Sequence, residues 1–228
     1  MKSITRRGST GSRLRRAAAV LLLLAGVLLL AEGVTTLVWR EPLGAISAGR
    51  EQDRLSEALR EAESEALAAP AGYVARDGRE KSARRVRTYK RRTARGEPLG
   101  RIRMPTLDEE FVFVAGVSSR ELKKGPGHYP TAALPGERGT VGIAGHRTTY
   151  SAPFRDIDEL ERGDRIVIRM PYGVFRYRVE GRIVVSPKNT RSLRRVRHDR
   201  LALTTCHPPF SAAQRMVVTA ALTSSTLR

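Results

Sequence analysis

The sequence predicts a mainly β protein: a closed or nearly closed barrel of seven or eight strands with short helices, set behind an N-terminal transmembrane helix and a stalk. Three observations predict it. From Glu97 onward, short apolar runs recur between Gly and Pro punctuation, the spacing expected of strands in a small barrel. Helical pattern in that stretch is confined to brief pieces. Ahead of it, every residue from Ala17 to Ala31 is apolar or glycine, a run suited to lipid. With 228 residues, 40% of them hydrophobic, the chain can build one core of ordinary size but not a multidomain machine. Its single cysteine, Cys206, excludes an internal disulfide and a thiolate zinc cluster.

Taken in order, residues 1–16 carry six basic groups and no acid and form a basic tail. Residues 17–39 form the span: at ~1.5 Å per residue they reach about 35 Å, enough for a hydrocarbon core of ~30 Å. Glu32 is the costly member, but near Arg40 it can sit at the interface, where Trp39 suits the headgroup belt. Ala31 and Gly33 would also serve a cleaved signal peptide; an uncleaved anchor is the preferred reading. The basic tail stays inside by the positive-inside rule, so the expected location is the cell membrane, single-pass, with a cytoplasmic N-terminus and an extracellular domain.

Residues 40–96 are expected to be a stalk helix and a basic linker. Residues 50–69 have helical composition with Leu55, Leu59 and Leu67 along one side, a stripe narrow enough to predict a solvated helix. Pro70, Ala71 and Gly72 end it. Residues 73–96 lack hydrophobic period and read as a flexible tether. The third part, 97–228, is the globular domain. Its expected strands are Leu99 to Met104, Phe111 to Val114, Thr140 to Ala144, Arg165 to Met170, Gly173 to Val185, Leu201 to Thr205 and Met216 to Leu222. Alternation such as Arg165-Ile166-Val167-Ile168 fits antiparallel sheet with one wet face. Short helical pieces are expected around Ser119 to Lys123 and Ser151 to Leu160.

The formal net charge is +19, shared among tail, linker and domain. A nucleic-acid partner is not expected: the densest basic run, Lys81 to Arg95, contains one aromatic residue, Tyr89, where single-strand binding wants stacking rings among the cations.

Few residues of the domain can do covalent chemistry. Cys206 closes the run Leu201-Ala202-Leu203-Thr204-Thr205, at the point where a strand meets a loop opened by His207-Pro208-Pro209. A lone cysteine is more often a small buried hydrophobe; its company raises the reactive reading. Gln214-Arg215 opens the next strand, so a hairpin would bring a guanidinium beside the thiol, favouring thiolate and offering donors to an oxyanion. Four histidines, His128, His146, His198 and His207, are candidates for acid and base. His146, at a strand end behind Gly145, is the best placed.

The segment Leu203-Thr204-Thr205-Cys206-His207-Pro208 with the downstream Arg215 resembles the Thr-Cys strand and arginine of sortases. The blocks Gly125-Pro126-Gly127-His128-Tyr129-Pro130, Ala133-Leu134-Pro135-Gly136-Glu137 and Ala144-Gly145-His146-Arg147-Thr148-Thr149-Tyr150 are similar to the same family, and to its class E branch from high-GC Gram-positive bacteria, over about residues 99–222. The resemblance implies a sortase-like β-barrel and a cysteine transpeptidase. Cys206 would be the nucleophile, His146 the general acid and base, and Arg215 the stabiliser of the tetrahedral intermediate. Thr205 would line the site, and Tyr150 would help choose a Leu-Ala-x-Thr-Gly over a Leu-Pro-x-Thr-Gly signal. Ala202 and Ser151 depart from the family pattern.

The implied partners are secreted proteins bearing a C-terminal sorting signal, a peptidoglycan precursor or other amine acceptor, and the cell membrane. No cofactor or metal is expected, because the loop from Pro187 to Arg200 carries one acid, Asp199, where calcium needs clustered oxygens. Two alternatives are a pilin-polymerising sortase, for which residues 73–96 lack an Asp-Pro-Trp plug, and a non-catalytic wall-binding module in which Cys206 is structural.

Overall fold

In a computed structural model of the protein, the described residues are 10–38, 42–68, 86–189, 191–194, 196 and 198–227. The chain divides into two compact units, Met1–Pro42 and Leu43–Arg228. The first contains helix α1, Thr10–Val38. Its stretch Leu14–Val34, of mean hydropathy 2.4, is long and apolar enough to cross a membrane.

The second unit is a closed eight-stranded barrel, as the strand spacing predicts. Its strands are β1 (Pro98–Met104), β2 (Glu109–Ala115), β3 (Gly127–His128), β4 (Thr140–Ala144), β5 (Arg165–Met170), β6 (Gly173–Val185), β7 (Arg200–His207) and β8 (Gln214–Leu227). Around the barrel the order is β1-β2-β3-β4-β7-β8-β6-β5, closed by pairing of β5 with β1. Strict alternation builds the core: Ile166, Ile168 and Met170 of β5 point inward with Phe175, Tyr177 and Val179 of β6 and Ile102 and Met104 of β1, while the residues between them face out.

The sheet is mixed and not wholly antiparallel. β2 with β3, and β4 with β7, are parallel pairs. Parallel neighbours need a crossover connection, and between β4 and β7 the chain first travels through β5 and β6.

Three further expectations are corrected. Helix α2, Pro42–Ala68, is not a solvated stalk. Leu55 and Leu59 are buried with Val112 and Val114 of β2, whose side chains alternate away from the barrel core. The stripe is narrow because it covers only two valines of one strand. Gln52 completes the joint, accepting from Val112 N at 2.8 Å and donating to the carbonyls of Val112 and Lys124 at 3.1 and 2.8 Å.

Residues 86–96, expected as tether, are packed. Residues 86–92 form helix α3, Val86 is fully buried, Tyr89 joins the core, and the Tyr89 hydroxyl donates to Leu99 O at 2.9 Å. The rest of that tether, 73–85, lies outside the described residues.

The piece expected as helix over Ser151 to Leu160 is mostly turn, with a 3-10 segment at Ile157–Glu159. Tyr150, Ser151 and Ala152 adopt φ of 52°, 63° and 44°, the left-handed region that no right-handed helix enters. Helix α4, Ser119–Leu122, forms as expected behind a capping box of Ser118 and Glu121.

Candidate active site

Strands β4, β7 and β8 lie side by side with β7 in the middle. Val141 and Ile143 of β4, Leu201 and Leu203 of β7, and Met216 and Val218 of β8 fill the core. By alternation Ala144, Thr204, Cys206 and Arg215 fall on the outer face. Ala144 stands opposite Thr204, and Cys206 opposite Arg215. Pairing continues one residue past β4, where Gly145 N donates to Thr204 O at 3.0 Å, and His146 comes next. Cys206 therefore sits between the strand end that carries His146 and the strand that carries Arg215.

Packing explains the residue before the histidine. A Cβ at Gly145 would lie 2.6 Å from the Phe154 ring, while Phe154 N donates to His146 O at 3.0 Å. A larger residue would push the histidine off its strand end. Thr205, expected to line the site, is instead buried, and its hydroxyl donates to Gly145 O at 2.8 Å. It faces away from Cys206 by alternation and ties β7 to the turn that holds His146.

The His146 imidazole is half-buried. Its Nε2 is shielded from solvent and finds no hydrogen-bond partner among the described residues. The Tyr150 ring lies 5.0 Å away, tilted by 45°, and Lys123 Nζ sits 5.5 Å over the other ring of that pair, Tyr150. Burial first, and the Lys123 charge second, push the His146 pKa below its ordinary value, because both disfavour imidazolium. Lys123 is a neighbour that the sequence did not flag.

Cys206 is partly exposed and unpaired. Arg215 is in register with it, but its Nη1 donates to Ala212 O and Gln214 O at 3.1 and 2.9 Å, so the guanidinium is folded back on its own loop. Among the described residues no hydrogen bond joins Cys206 to His146 or to Arg215. Such contacts often tighten only when substrate is bound.

The other histidines are engaged elsewhere. His128 Nε2 is 2.9 Å from Ala133 O, so that nitrogen carries the proton and donates. His198 Nε2 lies 3.2 Å from Glu180 Oε1 in an exposed pair. His207, beside the cysteine in sequence, has Nδ1 3.0 Å from Arg147 Nη1. A guanidinium only donates, so Nδ1 accepts. Arg147 is 5% exposed and pairs with Asp158 at 2.7 Å; Arg147 Nε also donates to Arg155 O at 3.2 Å. This buried, well-bonded cation was also missed by the sequence reading, although it directly follows His146. Among the described residues no group of three or more His, Cys, Asp or Glu could hold a metal ion.

A barrel of this order, with Cys206 flanked in this way, defines a class, and the comparisons agree. The sortase domain family matches residues 102–223, more than half of the chain, and the chain belongs to the sortase family. Sortase D of Bacillus subtilis is 35% identical over 115 residues, 50% of this chain and 56% of that protein. The class E resemblance is borne out by Sortase SrtE1 of Streptomyces coelicolor, 34% identical over 139 residues, 54% of this chain and 40% of that protein. It is borne out again by the crystal structure of Sortase E1 from Streptomyces coelicolor with a tripeptide in its active site. That structure is 32% identical with a TM-score of 0.56, covering 58% of this chain and 92% of that one. The chain spans about half the length of the curated relatives it matches.

Proposed function

We propose that the chain is a membrane-anchored cysteine transpeptidase acting on a Leu-Ala-x-Thr-Gly or Leu-Pro-x-Thr-Gly sorting signal. Sortases as a family act on sorting signals and amine acceptors; the particular signal is the finer reading. What supports the residue roles most is the strand order, with Cys206 in the middle strand, the His146 strand end on one side and Arg215 opposite on the other.

In this reading the Cys206 sulfur attacks the Thr carbonyl of the Thr-Gly bond while its proton passes to His146, whose Nε2 has no competing partner among the described residues. The oxyanion of the tetrahedral intermediate draws the Arg215 guanidinium from the loop carbonyls it now holds, since a charge-assisted bond is stronger than one to a neutral carbonyl. As the C–N bond breaks, the imidazolium gives its proton to the departing glycine amine, leaving a thioacyl enzyme. An acceptor amine, from a peptidoglycan precursor or another source, attacks the thioester. His146 takes the amine proton and returns it to sulfur. Tyr150, its ring 5.0 Å from that of His146, is the residue that would distinguish alanine from proline at the second position of the signal.

The anchor is the apolar part of α1, with the basic residues before it and in the first turns of that helix retained in the cytoplasm and the barrel outside. The direct test incubates the chain with both peptides and looks for a thioacyl adduct by mass spectrometry. A mass increase mapped to Cys206, absent in Cys206→Ala and exchanged onto an added amine, is expected. No adduct with either peptide sinks the reading.

A further inference from the structure

We propose that the outer face of β1, β5 and β6 is a docking surface for a bilayer rich in anionic phospholipid headgroups. Six arginines share that face: Arg101, Arg103, Arg165, Arg169, Arg176 and Arg178, each alternating with core residues of its strand. Their register sets like charges together. Arg101 stands directly opposite Arg169, Arg165 opposite Arg178, and Arg103 and Arg176 flank Val167 from either side.

Like charges directly across a strand pair destabilise the sheet. Interleaved carboxylates would relieve this, yet no ion pair joins any of the six to an acid among the described residues. Glu110, opposite Arg103, is not within ion-pair distance, and Glu180 on β6 is engaged by His198. Arg101 reaches Ser56 and Arg178 the carbonyl of Gly163; Arg103, Arg165, Arg169 and Arg176 are exposed and have no side-chain partner among the described residues. A planar fork of donors fits phosphate oxygens two at a time, so a surface of phosphodiesters would relieve the repulsion that the fold leaves in place.

Two features choose a bilayer over a soluble polyanion. The chain carries an apolar helix able to span a membrane, and residues 39–41 are all that the sequence puts between it and α2. α2 itself packs on β1 and β2, next to the arginine face, through Ser56 and Gln52. Moreover, in the closed order of strands β1 stands four places and β5 three from β7, on the far side of the barrel from Cys206, with β6 two places away. Docked by its arginines, the barrel would turn its cysteine away from lipid. The benefit to turnover rests on the transpeptidase reading; the docking does not.

The test places the full chain in lipid nanodiscs of neutral phosphatidylcholine, or with about a third phosphatidylglycerol, and follows modification of individual arginines by phenylglyoxal with mass spectrometry. Arg103, Arg165, Arg169 and Arg176 should react several-fold more slowly in anionic discs, with Arg120 on α4 unchanged. The difference should vanish near ~0.5 M salt, where screening reaches only a few ångströms, and in the triple variant Arg165→Glu, Arg169→Glu, Arg176→Glu. Equal reactivity in both discs overturns the proposal. So does equal protection in neutral discs by soluble glycerol-phosphate polymer, which would assign the face to that polymer. Co-purification with neutral discs reports anchoring separately. A chain that leaves neutral discs, stays with anionic ones and is released by the triple variant refutes the anchor and keeps the face; loss from both refutes both.

Discussion

His128 stands on β3 opposite Ile143 of β4, and His146 follows two residues past the end of β4; burial pushes both imidazoles toward the neutral form, His128 to about 4. The difference is in what their nitrogens touch. His128 is 4% exposed and donates Nε2–H to the Ala133 carbonyl, so its one available proton is committed to a loop. The Nε2 of His146 is also shielded from solvent and makes no such bond among the described residues. A buried polar atom without a partner is costly, and a fold tolerates that where the atom has a partner to come. Burial alone therefore does not distinguish a structural histidine from a chemical one; the unspent valence does.

The largest expected effect breaks that comparison outright. His146→Gln should lower kcat by about 10²- to 10⁴-fold, the usual worth of a general acid and base. His128→Gln should leave kcat within a few-fold while lowering the thermal midpoint. Turnover of a fluorogenic sorting-signal peptide, with an unfolding scan beside it, checks both; comparable losses of kcat would erase the distinction. Next in size is Arg215→Ala, expected to lose about 10²-fold in kcat with KM little changed, because an oxyanion donor acts in the transition state. If KM rises and kcat stays, Arg215 binds substrate and stabilises no oxyanion.

The barrel was legible because its strands alternate cleanly; β6, Gly173–Val185, carries its pattern to both ends. The two-residue β3 is too short to alternate, and the parallel pairing of β4 with β7 joins segments sixty positions apart, which no local pattern encodes. The cysteine and arginine were readable together because they flank one hairpin. Residues brought in by other elements were not: Lys123 reaches Tyr150 from the end of α4, and Arg147 looks like any surface arginine until Asp158 and His207 close around it. The leucine stripe of α2 was visible, but its docking depended on two valines of β2 facing outward.

The pH dependence of stability sharpens the comparison further. His128 titrates near 4 in the fold and near its ordinary ~6.5 when unfolded, so between those values the unfolded chain binds more protons and stability falls as pH drops. Desolvation is the main cause; the bond to Ala133 and the Glu137 charge oppose it, and the Lys90 charge adds to it. The full shift corresponds to about 3 kcal/mol lost by pH 4. Chemical denaturation across this range should show that slope, and His128→Gln, which keeps an amide donor for Ala133, should flatten it. An unchanged slope would move the titration to another group.

The smallest effect concerns Lys123. The Tyr150 ring lies against His146, and burial followed by the Lys123 charge lowers the imidazole pKa. A positive charge disfavours imidazolium, so Lys123→Ala should raise the His146 pKa, and only slightly because the ammonium is solvent-exposed and screened. NMR titration of the His146 ring proton reads this directly. Its salt dependence separates two roles that turnover alone would confuse. If Lys123 acts through charge, Lys123→Gln raises the pKa as much as alanine does and high salt shrinks the difference from the parent. If it acts by holding the Tyr150 ring against His146, glutamine and alanine both disturb the 5.0 Å ring contact, and the change persists in salt.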